Sequence, residues 1–156
     1  MSVTSVSSGG TRYQALIQLL RTADALWSAS QQFFSQWELS PSQFNVINLL
    51  ADQSTGLSQS DLSRLMITHR SNVTGLINRL EEKNLVMRTD AAGDRRAYRV
   101  VLTNSGRRLL QQILPEFHIM ADSVWDGTPA DRARQLADDL EKLGVNARRI
   151  SKRKDG

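Results

Sequence analysis

Residues 71–103 read SNVTGLINRLEEKNLVMRTDAAGDRRAYRVVLT, and the hydrophobic period changes partway along. Val73, Leu76, Ile77 and Leu80 stand at i, i+3, i+4 and i+7, the spacing that lines one face of an α-helix. Asn84 then supplies a residue that tolerates the left-handed backbone of a helix end. Beyond it, LVMRT and RAYRVVLT have strand character, with Ala97, Arg99 and Val101 alternating against Tyr98, Val100 and Leu102. The turn expected between the strands is DAAGDR. Asp94, Arg95, Arg96 and Arg99 put more charge on this hairpin than a surface turn requires.

Upstream, LSQSDLSRLM predicts a short helix with Ser58 as N-cap and Asp61 three residues on. A helix beginning after Thr68 follows about three residues later, and the pair makes a helix-turn-helix. LSPSQFNVINLLAD opens a further helix, with Ser40 at the cap, Pro41 at N1 and Gln43 completing a capping box. Ahead of it, Tyr13, Leu16, Ile17, Leu20, Ala23 and Trp27 follow a helix period, while Leu19, Leu26 and Phe33 form a second line. Two apolar stripes on one helix need two packing partners, a core and a second subunit.

Downstream, Thr103 or Asn104 opens a long helix with the stripe Leu109, Leu110, Ile113, Phe117, Met120, Ala121 and Val124. Pro115 lies inside it, so a kink or break is expected there. Thr128, Pro129 and Asp131 open the last helix, whose apolar face is Ala133, Leu136, Leu140, Leu143, Ala147 and Ile150. The expected fold is mainly α (α+β): a winged helix-turn-helix with a two-stranded wing and flanking N- and C-terminal dimerisation helices. Its segments are a disordered lead (1–11), an N-terminal dimerisation helix (12–38), the DNA-binding lobe (39–103), C-terminal dimerisation helices (104–150) and a basic tail (151–156).

Charge is placed unevenly. Residues 57–103 carry 8 basic and 5 acidic side chains, whereas residues 1–56 carry 2 and 3. The excess of positive charge therefore coincides with the helix-turn-helix and its hairpin, which suits an anionic partner without requiring one. The chain has no cysteine, which excludes disulfides, thiolate metal sites and thiol redox sensing. Its start, MSVTSVSSGG, lacks the pattern of a signal peptide, and no apolar run approaches the roughly 20 residues a bilayer demands. A soluble, cytoplasmic protein without membrane association is expected.

The helix after Thr68 carries Ser71, Thr74, Gly75 and Asn78 opposite its buried stripe, with Arg70 and Asn72 near its start. Solvated helix faces favour Glu, Lys and Gln, the better helix formers. Short hydrogen-bonding side chains instead suit base edges and phosphates in a major groove. The acids Glu81 and Glu82 stand at the far end, leaving the positive end of the helix dipole beside Arg70. A hairpin placed directly after such a helix lies beside the same groove, and Arg95 or Arg96 at its tip can enter the neighbouring minor groove. Asp94 repels phosphate and makes sense as an internal brace for an arginine or for turn N–H groups.

At this point the sequence resembles the MarR family of bacterial and archaeal transcriptional regulators, over roughly residues 12–150. LSPSQFNVINLLA, LSQSDLSRLM and SNVTGLINRLEEKNLVMR are similar to the family's lobe-opening helix, its first DNA-side helix, and its recognition helix with the first wing strand. DRRAYRVVLTNSG is close to its wing signature, Asp-x-Arg followed by Leu-Thr and Gly. The resemblance implies that Asp94 is the bracing acid, Arg96 the wing arginine, and Ser71, Asn72, Thr74 and Asn78 the groove-facing residues. Two positions depart from the pattern: Asn84 stands where Gly is common, and Gly75 where a basic residue is common.

A homodimer on double-stranded DNA, reading a pseudo-palindromic operator as a repressor, is the expected function. Arg64, Arg70, Arg88 and Arg99 are the expected phosphate contacts. The alternative is a winged helix used for protein–protein contact without a DNA target. The resemblance also implies a small aromatic effector, in a crevice that Trp27, Phe34, Trp37, Phe44 and Phe117 are candidates to line. The plainer reading places those aromatics in the core or the dimer interface. No cofactor is called for. His69 and His118 stand apart without acidic company, Asp138 and Asp139 diverge on a helix, and no nucleophile, metal or phosphate-loop motif occurs, so neither catalysis nor a metal is expected.

Overall fold

The structure, a computed structural model, describes residues 10–66, 72–91 and 94–152, without the side chains at 91, 94–97, 151 and 152. Its elements are α1 (Thr11–Ser35), α2 (Pro41–Leu50), α3 (Gln59–Leu65), α4 (Val73–Glu82), β1 (Val86–Ala91), β2 (Asp94–Leu102), α5 (Asn104–Ser123) and α6 (Ala130–Lys152). They form two compact units that divide between Leu110 and Gln111.

The first unit is built around α2, which touches α1, α3, α4 and β2. Its start is fixed by the predicted capping box: the Gln43 N–H donates to Ser40 Oγ (3.2 Å) and the Ser40 N–H to Gln43 Oε1 (2.8 Å). Gln43 can be buried because this exchange satisfies it. Val46, Ile47 and Leu50 of α2 meet Leu62, Ile77, Leu80, Val86 and Val100 in the core. Burial of each such side chain contributes roughly 1.5–3 kcal/mol. Phe34, near the end of α1, stacks on Phe44 with ring centres 4.3 Å apart.

Two helix ends are closed by residues with positive φ that are not glycine. After α1, Glu38 (φ 54°) lets the Leu39 N–H reach the Phe34 carbonyl (3.2 Å), and Lys83 Nζ holds the Glu38 carbonyl (2.8 Å). After α4, Asn84 (φ 55°) takes the left-handed position expected of it. The Leu85 N–H then bonds to the Leu80 carbonyl (2.9 Å) and the Asn84 N–H to that of Glu81 (2.8 Å), a Schellman motif sealed by the buried pair Leu80 and Leu85.

The hairpin pairs Val86 with Leu102 through Asp90 with Tyr98. The strands run further than the sequence suggested, since Asp90, Ala91, Asp94 and Arg95 belong to them rather than to a turn. Register then breaks: Ala91 pairs with Asp94, so Arg95, Arg96 and Ala97 form a bulged segment of β2. Leu57 adds a bridge that periodicity did not show, exchanging N–H···O bonds with Val100 (3.0 and 2.8 Å). A third backbone thus steadies a two-stranded ribbon that is marginal alone.

At the other end of β2, the Thr103 N–H donates to the Leu85 carbonyl (3.1 Å), and its hydroxyl accepts from the Gly106 N–H (3.0 Å) as the cap of α5. Gly106 passes so close that an added Cβ would sit 2.1 Å from the Leu85 carbonyl oxygen.

In the second unit, α5 continues through Pro115, so of the kink or break expected there the break does not occur. The Gln111 carbonyl loses its helical donor there, and both residues are exposed, so water can replace it. The last helix begins at Ala130, and the exposed residues Leu136, Leu140, Leu143 and Ile150 run along it. Among the described residues, no helix is long and apolar enough to cross a membrane.

Gly106→Ala is expected to lower stability by about 1–3 kcal/mol, because a methyl group cannot be relieved by a side-chain rotation when it meets a backbone carbonyl. Urea unfolding measures this, and an unchanged midpoint would mean that the close approach to Leu85 is absent.

Candidate nucleic-acid interface

Helix α4 buries Val73, Ile77 and Leu80 and exposes Asn72, Thr74, Asn78, Arg79 and Glu82. That division is what the apolar spacing dictates. Of the expected groove-facing residues, Arg70 and Ser71 lie outside the described residues. The helix begins at Val73 rather than soon after Thr68, with Asn72 as its N-cap. Asn72 Oδ1 accepts from the Gly75 N–H at 3.2 Å, so its side-chain oxygen caps its own helix while the residue stays exposed. The same contact accounts for Gly75. A Cβ there would lie 2.2 Å from Asn72 Oδ1, so a larger residue would have to displace the cap.

Thr74 and Asn78 remain exposed, and each is held by a partner from another element. Gln59 Nε2, at the first position of α3, donates to Thr74 Oγ1. Arg88 Nη2, on β1, donates to Asn78 Oδ1 at 2.8 Å. Arg88 is held in turn by Glu81, which accepts from its backbone N–H (2.9 Å) and pairs with Nη1. The guanidinium also lies over the Tyr98 ring, 5.0 Å from its centre, a cation–π contact. The Tyr98 hydroxyl closes the circuit by donating to Gln59 Oε1.

The expected phosphate arginines therefore differ in what they do. Arg88 is committed to Glu81, Asn78 and Tyr98, which makes it a holder of α4. Arg99 Nη1 donates to the Gly56 carbonyl at 2.9 Å and braces the loop that carries the Leu57 bridge. Arg64 is largely exposed and pairs with Asp61. The side chains of Asp94, Arg95 and Arg96 lie outside the described residues, while their backbone forms the bulged part of β2.

Two carboxylates beside this face are neutralised locally, Glu81 by Arg88 and Asp61 by Arg64. Asp61 also accepts from the Ser58 hydroxyl (2.6 Å), while its own N–H donates to the same oxygen (3.0 Å). The Ser58 hydrogen bond first, and Arg64 next, hold the Asp61 carboxyl below its ordinary range. Such pairing removes repulsion that free carboxylates would direct at a polyanion.

Gln59, Glu81 and Tyr98 carry this geometry, yet the sequence did not single them out for it. Gln59 is 15 residues from Thr74 and 39 from Tyr98, and no periodicity spans such separations. Of the expected crevice aromatics, Phe34 and Phe44 are core residues stacked on each other, while Trp27, Trp37 and Phe117 are half-buried. Among the described residues, no group of three His, Asp or Glu side chains gathers as a metal site would require.

Residues 37–97, from just after α1 into β2, match the sequence model of the MarR family. The HTH-type transcriptional regulator FarR of Neisseria gonorrhoeae is 28% identical over 127 residues, covering 81% of this chain and 86% of FarR. Among solved structures, BpsR of Bordetella bronchiseptica, whose DNA binding is regulated by 6-hydroxynicotinic acid, superposes with a TM-score of 0.76 at 24% identity, over 91% of this chain and 98% of BpsR. MepR of S. aureus, solved as a DNA complex, gives a TM-score of 0.74 at 24% identity, over 86% and 97%. These structures share the fold.

Because the folded Asp61 carboxyl titrates lower than the unfolded one, its contribution is present above the unfolded value of about 3.9 and lost as pH falls through the folded value. Asp61→Asn is expected to flatten the acid side of the stability profile. Urea midpoints taken from neutral pH down to about pH 3 should converge for the two proteins at the acid end; parallel profiles would count against the pairing.

Proposed function

Starting from the match of residues 37–97 to the MarR family, we propose that the chain is a transcriptional regulator of that family, binds double-stranded DNA as a homodimer and acts as a repressor. The observation that carries this is the exposed face of α4. Thr74 and Asn78 stand out from it on fixed supports, and the neighbouring carboxylates Glu81 and Asp61 are already paired. In this reading α4 lies in a major groove, and the bulged segment of β2 carries Arg95 and Arg96 to the adjacent minor groove. Asp94 braces that segment. Arg70 and Ser71 extend the contact beyond the start of α4, and Arg64 and Arg99 add phosphate contacts. A protein-docking use of the same face would call for apolar residues where Asn72, Thr74, Asn78 and Arg79 are exposed.

The homodimer is supported by surfaces that single units leave uncovered. Tyr13, Leu16 and Leu20 are exposed along α1, and on α6 Leu136, Leu140, Leu143 and Ile150 are exposed, Ile150 by 65%. Stripes of this length are costly in water, and a symmetric partner covers both copies at once. Two copies of α4, about one DNA turn apart, then match a pseudo-palindromic operator. Such a protein works in the cytoplasm, on the chromosome. The same reading includes an effector of the small aromatic class, with the half-buried Trp27 and Trp37 as its candidate contacts, and the regulation of BpsR by 6-hydroxynicotinic acid supports it. Its binding alters the separation of the two lobes.

Arg96→Ala is expected to weaken operator binding by about 1–3 kcal/mol with the dimer intact. The double substitution Leu136→Glu with Leu143→Glu is expected to yield monomers that lose operator affinity. Mobility-shift titration and analytical ultracentrifugation measure the two effects. Full affinity in the first variant removes the wing from the mechanism, and dimers in the second remove α6 from the interface.

A further inference from the structure

Thr74 and Asn78 are one helical turn apart, and the oxygen of each is occupied by a donor from inside the lobe. At Asn78 the polarity is forced. A guanidinium has five N–H donors and no acceptor, so the amide must turn Oδ1 toward Arg88, 2.8 Å away, and aim its two Nδ2 hydrogens elsewhere. Glu81 grips both the backbone N–H and the Nη1 of Arg88, so this orientation is held from two points.

At Thr74 the polarity is set at the far end of a relay. The Tyr98 phenol donates to Gln59 Oε1, which turns Gln59 Nε2 toward Thr74 Oγ1 as a donor. A phenol is a stronger donor than an aliphatic hydroxyl and a weaker acceptor, and a guanidinium 5.0 Å from the ring centre strengthens that bias. The Thr74 oxygen is thus engaged as an acceptor, and its hydrogen is left for an outside group. Arg88 serves both arms of this arrangement, through Asn78 on one side and the Tyr98 ring on the other.

We infer that Thr74 and Asn78 read DNA as hydrogen-bond donors, selecting base edges that offer acceptors and rejecting those that offer exocyclic amines. Tyr98, Gln59 and Arg88 act as positioning residues that set this polarity. In the major groove the acceptors are guanine N7 and O6, adenine N7 and thymine O4, and the disfavoured groups are adenine N6–H2 and cytosine N4–H2. An unconstrained asparagine pairs with adenine by donating to N7 and accepting from N6. Here the accepting half is engaged by a cation. The inference rests on α4 being the DNA-reading helix proposed above.

The test uses the full-length protein and duplexes it selects from a random pool, with single base analogues substituted along the site. Replacing a purine by its 7-deaza form, or thymine by an analogue without the 4-oxygen, is expected to lower affinity about fivefold or more at positions facing Thr74 and Asn78. Replacing adenine by purine, which lacks the 6-amino group, is expected to leave affinity unchanged. Tyr98→Phe lets Gln59 reverse, so one of the acceptor-sensitive positions in each half-site should come to tolerate amine-bearing bases while the other keeps its preference. Sensitivity to amine removal with indifference to acceptor removal overturns the inference, even with specific DNA binding intact. So does a folded Tyr98→Phe protein that selects unchanged sequences. If Tyr98→Phe fails to fold, the analogue series on the native protein decides. Absence of any duplex binding by the native protein overturns the regulator reading itself, and this inference with it.

Discussion

One backbone carbonyl, that of Leu85, holds the lobe together. It accepts from the Thr103 N–H, and the first turn of α5 crosses it at Gly106 with no room for a side chain. The Thr103 hydroxyl meanwhile donates to the Asn84 carbonyl at 2.6 Å. The exit of α4, the start of β1, the end of β2 and the start of α5 therefore meet at residues 84, 85, 103 and 106. The base of the hairpin is thereby fastened to the exit of α4.

On this rigid junction sits a polar layer whose members come from three places in the chain: Gln59 on α3, Asn78 and Glu81 on α4, and Arg88 and Tyr98 on the hairpin. Side chains of a surface helix ordinarily sample several rotamers, and ordering them on binding costs free energy. Prior attachment of Thr74 and Asn78 reduces that cost. The same attachment ties the direction of their hydrogen bonds to residues that need not touch DNA themselves.

Local rules carried the reading of the elements a long way. The Ser40 and Ser58 caps, the left-handed Asn84 and the alternation that runs through Tyr98, Val100 and Leu102 were all visible as short-range patterns, because each depends on neighbours within about four residues. Where the reading erred, a neighbour distant in sequence or a competing local bond had decided. Asp90, Ala91, Asp94 and Arg95 of the expected turn became strand because the ladder extends to the Ala91–Asp94 pair. The cap that Asn72 forms on its own helix was not read from the sequence, and it also explains the glycine at 75. Pro115 did not break α5, because the carbonyl it orphans is exposed to water.

The amino-acid order by itself determined the helices, the hairpin, the basic middle of the chain and the polar character of one helix face. All of these follow from spacing, capping and charge counted over short windows. Only the tertiary structure decided what the individual polar groups do: that Arg88 holds Asn78, that Gln59 joins Tyr98 to Thr74, and that Leu57 lends a third backbone to the hairpin. The physical reason is that hydrogen bonds are short and directional. A donor and an acceptor 10 or 39 residues apart have no relation until packing brings them within 3 Å or so of each other.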